Sequence, residues 1–261
     1  MAIFIGIIIG AILGLTGSGG SLFAVPLLML FLGLPLADAT GVALGAVAVT
    51  AAFGVIQRDK SEIVWLPALF ILVFGVLFAP VGRWLTLFID ETVILSTFSV
   101  LVLWVAYKMW SQAKQEPNVA QAIRAELKHE LETFDAGAPE RRSYRSYVTA
   151  SLAGVLVGVT SGVLGVGGGF IIVPMLSLVA GIPMRRAVAS SLLVISMVSA
   201  SGFASYFYFN GAVDNVLLGY VSIGGVVGML IGSRMVNLID PIRLQQVFAV
   251  LLLLVVARLW F

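Results

Sequence analysis

Charged side chains are nearly absent from long parts of this sequence. Asp38 is the only charged residue among residues 1–57, and residues 146–184 contain none. A soluble domain usually carries about 25% charged residues, whereas this chain of 261 residues carries 11%, with 60% hydrophobic residues. A water-soluble fold of this size could not bury so much apolar surface. The pattern excludes a soluble enzyme, a disordered chain and a nucleic-acid-binding protein, and it predicts an all-α polytopic membrane protein.

The remaining charges separate apolar stretches and concentrate in one polar segment. Twelve of the 28 charged residues lie at 111–146, which we expect to be a cytoplasmic linker with an amphipathic helix, between membrane repeats at 1–110 and 147–261. About 20 apolar residues cross the hydrocarbon core as a helix. Stretches near that length lie at 38–57, 63–83, 92–110, 187–209, 214–234 and 242–261.

Each half opens with two shorter apolar pieces around a glycine-rich break. These pieces lie at 2–15 and 22–34 in the first half, and at 147–164 and 170–182 in the second. Irregular backbone at membrane depth is tolerated only where protein or a water-filled cavity satisfies it. We therefore expect each pair to form a re-entrant hairpin that returns to the side from which it entered.

The two halves repeat each other at an offset of 148 residues. The segment that begins at Gly14 matches the segment that begins at Gly162, and Pro26 matches Pro174. Chance agreement among apolar residues is the alternative. Because glycines and prolines recur together and in order, the sequence favours an internal repeat.

Lys and Arg residues are enriched in cytoplasmic loops of membrane proteins. The loops that contain Arg58 and Arg186 carry such residues, whereas the loops at Pro35 and Asn210 carry none. Equivalent loops of the two halves then face opposite sides. The sequence thus predicts two inverted-topology repeats, each a glycine-broken short helical hairpin plus three transmembrane helices, with both termini in the periplasm.

The glycine-rich breaks are the candidate binding elements. A helix that begins after such a turn presents unpaired N–H groups and the positive end of its dipole, which would bind an anion without any basic side chain. Helix packing is the alternative explanation, and Gly224, Gly228 and Gly232 are assigned to packing alone. The candidate substrate-binding residues, with nearby hydroxyl groups, are Thr16, Gly17, Ser18, Gly19, Gly20, Ser21, Ser161, Gly165, Gly167, Gly168, Gly169, Ser190 and Ser191.

Arg83 and Arg234 end matching helices and are candidate gating or mouth residues. They either snorkel to the interface or attract anions at the two mouths. Most serines in the helix that follows the second hairpin are expected to bond to their own helix. Ser190 and Ser191 are preferred as ligands because they follow the hairpin directly.

Several other chemistries are excluded by residue type. The chain contains no cysteine, and His129 is its only histidine, which excludes disulfides, thiolate metal sites, a Ser-His dyad and a multi-histidine metal site. No Gly-Lys-Ser/Thr sequence follows the glycines, so a nucleotide site is not expected. We expect no enzyme activity, cofactor or nucleic acid; the expected partners are a small anion and the lipid bilayer. Homo-oligomerisation is left open.

The paired motifs GLTGSGGSLFAVP, which begins at Gly14, and GVLGVGGGFIIVP, which begins at Gly162, resemble the sulfite exporter TauE/SafE family of membrane permeases. The second copy fits the usual Gly-x-Gly-Gly-Gly form, whereas the first departs from it with Ser18 and Ser21. The resemblance implies a secondary transporter, expected to be an exporter, of sulfite or organosulfonates across the bacterial inner membrane. An anion channel or a facilitator for other small solutes is the alternative. An intramembrane enzyme and a structural scaffold are disfavoured.

Overall fold

A computed structural model describes residues 1–17, 20–114, 144–165, 167–169, 172, 176, 184–211, 213–235, 250 and 253. All regular structure in these residues is helical, with no strand among them, so the predicted all-α class is confirmed. The helices are α1 (Ala2–Thr16), α2 (Gly20–Leu32), α3 (Leu36–Ile56), α4 (Trp65–Leu85), α5 (Glu91–Lys114), α6 (Tyr144–Leu164), α7 (Met184–Asn210) and α8 (Asn215–Met235). A short 3-10 turn at Lys60–Glu62 precedes α4.

Four helices in the described part of the chain are long and apolar enough to cross a membrane. They are α3, α4, the Arg186–Asn210 part of α7, and α8. A helix satisfies its backbone hydrogen bonds within one segment, which hydrocarbon requires. These four spans and α5 lie where the sequence predicts them, and a multi-pass membrane protein is confirmed. The second limb of the second hairpin (170–182), the helix expected over 242–261 and the amphipathic linker helix lie outside the described residues, apart from residues 172, 176, 250 and 253.

The outer faces of the spans are apolar and exposed. On α4 the exposed side chains recur every four residues, and α8 carries a similar stripe. The stripes consist of Trp65, Leu69, Val73, Leu77 and Val81, and of Val216, Tyr220, Ile223, Val227 and Ile231. A soluble protein rarely exposes continuous apolar surface of this kind. The stripes therefore fit contact with lipid.

The chain divides into two compact units. The first contains Met1–Phe98 and Arg145–Leu238, and the second contains Ser99–Tyr144 and Ile239–Phe261. In the first unit α3 and α7 pack against each other and are largely buried. Their contacts place Gly41 beside Tyr206 and Gly202 beside Leu44. The two helices are thus antiparallel and form the core of this unit. All the contacts described below lie within this first unit.

Two further helix pairs in this unit approach closely through glycine. On α1, Gly6, Gly10 and Gly14 lie over the carbonyl groups of Val221, Gly225 and Met229 of α8. On α6, Gly154, Gly158 and Gly162 lie over the carbonyl groups of Ile71, Gly75 and Ala79 of α4. The glycines of the two pairs differ by 148 in number, and the carbonyl residues differ by 150. The same parallel packing is therefore built twice, and each pair joins one half of the chain to the other.

Hydrogen bonds define the two ends of the first unit. At one end, which we call the Arg83 end, Arg83 of α4 bonds to Asn210 of α7, and Tyr206 of α7 bonds to Asp38 of α3. At the opposite end, which we call the Gln57 end, Ser233 of α8 bonds to Gln57. Because α1 runs parallel to α8, α1 begins at the Arg83 end, where α3 also begins. The α1–α2 pair thus starts and finishes at one end.

Candidate functional site

The two glycine-rich breaks contain the same backbone turn. After α1, Gly17 adopts φ 71° and its N–H donates to Leu13 O over 2.7 Å. After α6, Gly165 adopts φ 70° and its N–H donates to Ser161 O over 2.9 Å. Residues other than glycine rarely adopt this left-handed conformation, which ends many helices. The sequence-based expectation of a sharp turn at these glycines therefore fits both positions.

Each turn packs against the long helix of the other half. Gly17 lies against the Val188 side chain of α7, and Gly165 lies against the Thr40 side chain of α3. A Cβ atom at Gly17 would lie 3.0 Å from Val188 Cβ, and one at Gly165 would lie 2.9 Å from Thr40 Cβ. Val188 and Thr40 are again 148 residues apart. Close packing therefore explains part of the glycine requirement.

The residues that follow the turns meet in the middle of the first unit. A Cβ atom at Gly167, where φ is 66°, would lie 2.6 Å from Ser199 Oγ and 3.5 Å from Ser21 Cβ. Ser21 belongs to the first turn of α2, and Ser199 lies near the middle of α7. Both serines are fully buried. The start of α2, the second glycine turn and α7 thus converge at one point.

Two buried hydroxyl groups near the second turn lack a hydrogen-bond partner. Ser199 Oγ and Ser161 Oγ are both inaccessible and unpaired. An unsatisfied buried polar group costs about 1–3 kcal/mol, and native proteins rarely leave one without a partner. A polar ligand between the turns would satisfy them. Sequence reasoning placed Ser161 in the candidate site but did not prefer Ser199, which it grouped with the structural serines of α7.

The other hydroxyl candidates are engaged with protein. Thr16 donates to Ile12 O of its own helix over 2.8 Å. Ser190 Oγ accepts the Val64 N–H over 2.9 Å. Ser191 Oγ lies 2.8 Å from Val188 O and 3.1 Å from Gly17 O, and it donates to these carbonyl groups. The Ser190 and Ser191 hydroxyls therefore hold α7 against the start of α4 and against the first turn.

The remaining candidates pack against neighbouring helices, are buried, or lie outside the described residues. Gly20 packs on the backbone of Leu13, and a Cβ at Gly168, where φ is 64°, would lie 3.0 Å from Val157 O. Gly169 is also buried. Ser18 and Gly19 are outside the described residues.

No charged side chain of the described residues makes a described contact at the convergence point of Ser21, Gly167 and Ser199. The charged residues whose contacts are described lie at the Arg83 end or the Gln57 end. No cluster of three metal-binding side chains occurs in the described residues. Donor groups here are backbone N–H groups at a helix start and hydroxyl groups. Such a set suits a small anion, because the first N–H groups of a helix have no partner within it and carry partial positive charge.

The two mouth residues lie in different environments. Arg83 is buried, whereas Arg234 is exposed in the last turn of α8. The match between the two halves of the sequence pairs these arginines. In the structure, however, Gly82 packs on Val159 and Gly232 packs on Ala11. Gly82 thus corresponds to Gly232, and the counterpart of Arg83 is Ser233, one residue before Arg234.

The comparison with protein families settles the relationship. A family model described as "Sulfite exporter TauE/SafE" matches residues 2–259. The chain belongs to this family. The resemblance inferred from the paired glycine motifs is therefore confirmed, and the TauE/SafE assignment makes this chain a membrane transporter.

Curated relatives of this TauE/SafE chain carry the same general description. A probable membrane transporter protein of Xylella fastidiosa is 29% identical, over 87% of this chain and 82% of its own length. One from Methanocaldococcus jannaschii is 28% identical, over 85% and 78%. One from Bacillus subtilis is 26% identical, over 94% of each chain. No solved structure matches this chain significantly.

Proposed function

We propose that this chain is a secondary transporter, expected to be an exporter, of small sulfur-containing anions such as sulfite or organosulfonates. The observation that carries the proposal is the convergence of Ser21, Gly167 and Ser199 in a buried, uncharged region, with the Ser199 hydroxyl unpaired. The family description supplies the substrate class. The donor set supports an anion, and the binding screen below tests which oxyanion or sulfonate binds.

The donors have the strength that a transport site requires. Each hydrogen bond to a charged group contributes about 1.5–3 kcal/mol, and a partly buried helix start adds up to about 2 kcal/mol. An arginine in the same place would bind more tightly and would slow release. A few neutral donors, reduced by the cost of removing water from the anion, suit an affinity between micromolar and millimolar.

The occurrence of equivalent helix pairs and turns in both halves of the chain supports an inverted repeat. The α1–α8 and α6–α4 pairs use equivalent glycines, and the Gly17 and Gly165 turns meet equivalent residues of the opposite half. In inverted-repeat transporters the substrate site lies where the repeats meet, beside interrupted helices. The two turns and the convergence point have this placement. We therefore propose an alternating-access mechanism, in which the two halves move against each other and open the anion site to one side of the membrane at a time.

Charge distribution supports an orientation. Arg58 follows α3, and Arg234 lies in the last turn of α8, so both lie at the Gln57 end, as does Arg186 in the first turn of α7. Arg83 is the only Lys or Arg whose contacts are described at the opposite end. Cytoplasmic loops are enriched in these residues. We propose that the Gln57 end faces the cytoplasm of the inner membrane and that the N-terminus faces the periplasm.

A binding screen tests the proposed site. Purified protein in detergent is heated with sulfite, sulfate, thiosulfate, sulfoacetate, isethionate or taurine, and the midpoint of thermal unfolding is measured. We expect a sulfur oxyanion or sulfonate to raise the midpoint, and Ser199→Ala to weaken that effect. The matched control is Ser196→Ala, because the Ser196 hydroxyl donates to Leu193 O of its own helix. An anion effect that is equal in the wild type and both variants would contradict the assignment of Ser199.

A further inference from the structure

Arg83 is a buried cation that has no countercharge among the residues the structure describes. Only 5% of its surface is exposed. A guanidinium stays charged in proteins, and burial of an unpaired charge is costly. Among the described residues no carboxylate lies within ion-pair distance of Arg83. Its Nη2 donates to the neutral Asn210 Oδ1 over 2.7 Å, and its Cζ lies 4.7 Å from the centroid of the Tyr206 ring.

One donor of this guanidinium is unused. Arg83 Nε is inaccessible and has no hydrogen-bond partner. The neighbouring carboxylate of Asp38 is engaged elsewhere, because it accepts the Tyr206 hydroxyl over 3.0 Å. Tyr206 itself occupies the space that Gly41 leaves free, since a Cβ there would lie 2.5 Å from Tyr206 Cε1. The ring and Asn210 therefore fix the guanidinium while its Nε–H stays unpaired.

The opposite end of the first unit is built differently. There Ser233, the counterpart of Arg83, donates to Gln57 Oε1 over 3.3 Å. Arg58 at that end lies 3.8 Å from the Glu62 carboxylate. Arg58 at the Gln57 end thus has a countercharge, whereas Arg83 has none among the described residues.

We infer that Arg83 binds a small oxyanion at this end of the unit, at a site separate from the glycine turns. The planar guanidinium fork matches two oxygens of an oxyanion, and Asn210 and Tyr206 are its positioning residues. The Gln57 end has no equivalent site among its described residues, so the two faces of the transporter bind the anion with different affinity. The inference extends the proposed anion transport, but binding at Arg83 is measurable without transport.

Asn210→Asp is the sharpest test, because it supplies the missing countercharge in place. The existing Nη2···Oδ1 contact would become an ion pair and would compete with an external anion. If Arg83 only joins α4 to α7, this variant keeps wild-type transport. If Arg83 binds an anion, the variant folds and its sulfite KM at the Arg83 face rises at least about tenfold, which corresponds to ~1.4 kcal/mol. The KM at the opposite face changes little.

Arg83→Gln should give the same one-sided change, with Arg58→Gln as the matched control, because Arg58 already has a countercharge in Glu62. These two variants and Asn210→Asp are each reconstituted separately in liposomes, and the sulfite KM of each is measured from each face. Loss of affinity only at the Arg83 face supports the inference. An unchanged KM in folded Asn210→Asp, or an equal change at both faces, overturns it.

Binding in detergent separates this inference from the proposed function and identifies the source of the oxyanion. A free sulfur oxyanion and a lipid phosphate share the recognised chemistry. Thermal unfolding is therefore followed in lipid-free detergent with sodium sulfite in one arm and with phosphatidylglycerol in the other. Stabilisation in either arm that is lost in Asn210→Asp supports an oxyanion at Arg83, even if no sulfite flux is found. Equal stabilisation of wild type and Asn210→Asp in both arms overturns it.

Discussion

Gly167→Ala would place a methyl group at the point where the two halves of the chain meet. Because φ is 66° at this position, an alanine would adopt a left-handed conformation that costs about 1–2 kcal/mol. Its Cβ would also lie 2.6 Å from Ser199 Oγ, about 0.7 Å closer than a normal carbon–oxygen contact of roughly 3.3 Å. Crowding of this kind typically costs about 1–3 kcal/mol. We expect Gly167→Ala to lower the free energy of unfolding by about 2–5 kcal/mol.

Gly211→Ala is the matched control for the backbone effect. Gly211 adopts φ 77°, and no atom lies within 4 Å of a Cβ placed there. This variant should lose only the backbone contribution, about 1–2 kcal/mol, and should transport at the wild-type rate. The difference between the two variants isolates the crowding of Ser199 and Ser21.

The assay combines stability with sulfite flux. Thermal unfolding in detergent gives the stability of each variant, and flux into proteoliposomes is normalised to the amount of folded protein. We expect folded Gly167→Ala to lose at least about nine-tenths of its flux, a tenfold change that corresponds to ~1.4 kcal/mol. If Gly167→Ala folds and keeps the flux of Gly211→Ala, the anion does not pass between Gly167, Ser21 and Ser199.

Three further predictions concern packing, hydrogen bonding and topology. In Gly228→Ala the added methyl would lie 2.8 Å from Ala11 N, so α1 and α8 must separate at a cost of about 1–3 kcal/mol. Gly219→Ala on the same helix meets no atom within 4 Å and should raise the free energy of unfolding by about 0.5–1 kcal/mol. Equal unfolding midpoints for the two variants would disprove the packing assignment. Ser201→Ala removes a 2.8 Å hydrogen bond to Val76 O and should lower stability by about 1 kcal/mol without changing the sulfite KM; a raised KM would show that the site extends to Ser201. A single cysteine at Asn118, in this cysteine-free chain, should resist an impermeant thiol reagent in intact cells, and its labelling would place the linker in the periplasm.

The helical spans could be predicted from the sequence because hydrocarbon imposes strong local rules. A chain in lipid must satisfy its backbone within each segment, so apolar length and the position of charges determine where helices begin and end. The turns at Gly17 and Gly165 could be predicted for a similar reason, since few residues other than glycine adopt positive φ. These features depend on neighbouring residues in the chain.

The placement of individual polar side chains depends on residues far apart in the chain, and the sequence does not reveal it. Ser199 is one of several serines on α7, and its contact with Gly167 appears only when the second turn packs against that helix. Their position after the hairpin favours Ser190 and Ser191 as ligands, but in the structure their hydroxyls bond to Val64 and Gly17. The burial of Arg83 likewise depends on Asn210, which lies 127 residues away.

The central claim is that this chain is a carrier for small sulfur-containing anions. Sulfite counterflow in proteoliposomes tests this claim most directly. Vesicles that contain the purified protein are loaded with unlabelled sulfite and diluted into labelled sulfite. A carrier exchanges the two and accumulates label transiently above its external concentration, and external organosulfonate should reduce that accumulation while glycerol should not. We predict this transient accumulation for the wild-type protein. Passive equilibration without overshoot would instead indicate a channel, and the absence of any protein-dependent sulfite flux would contradict the account.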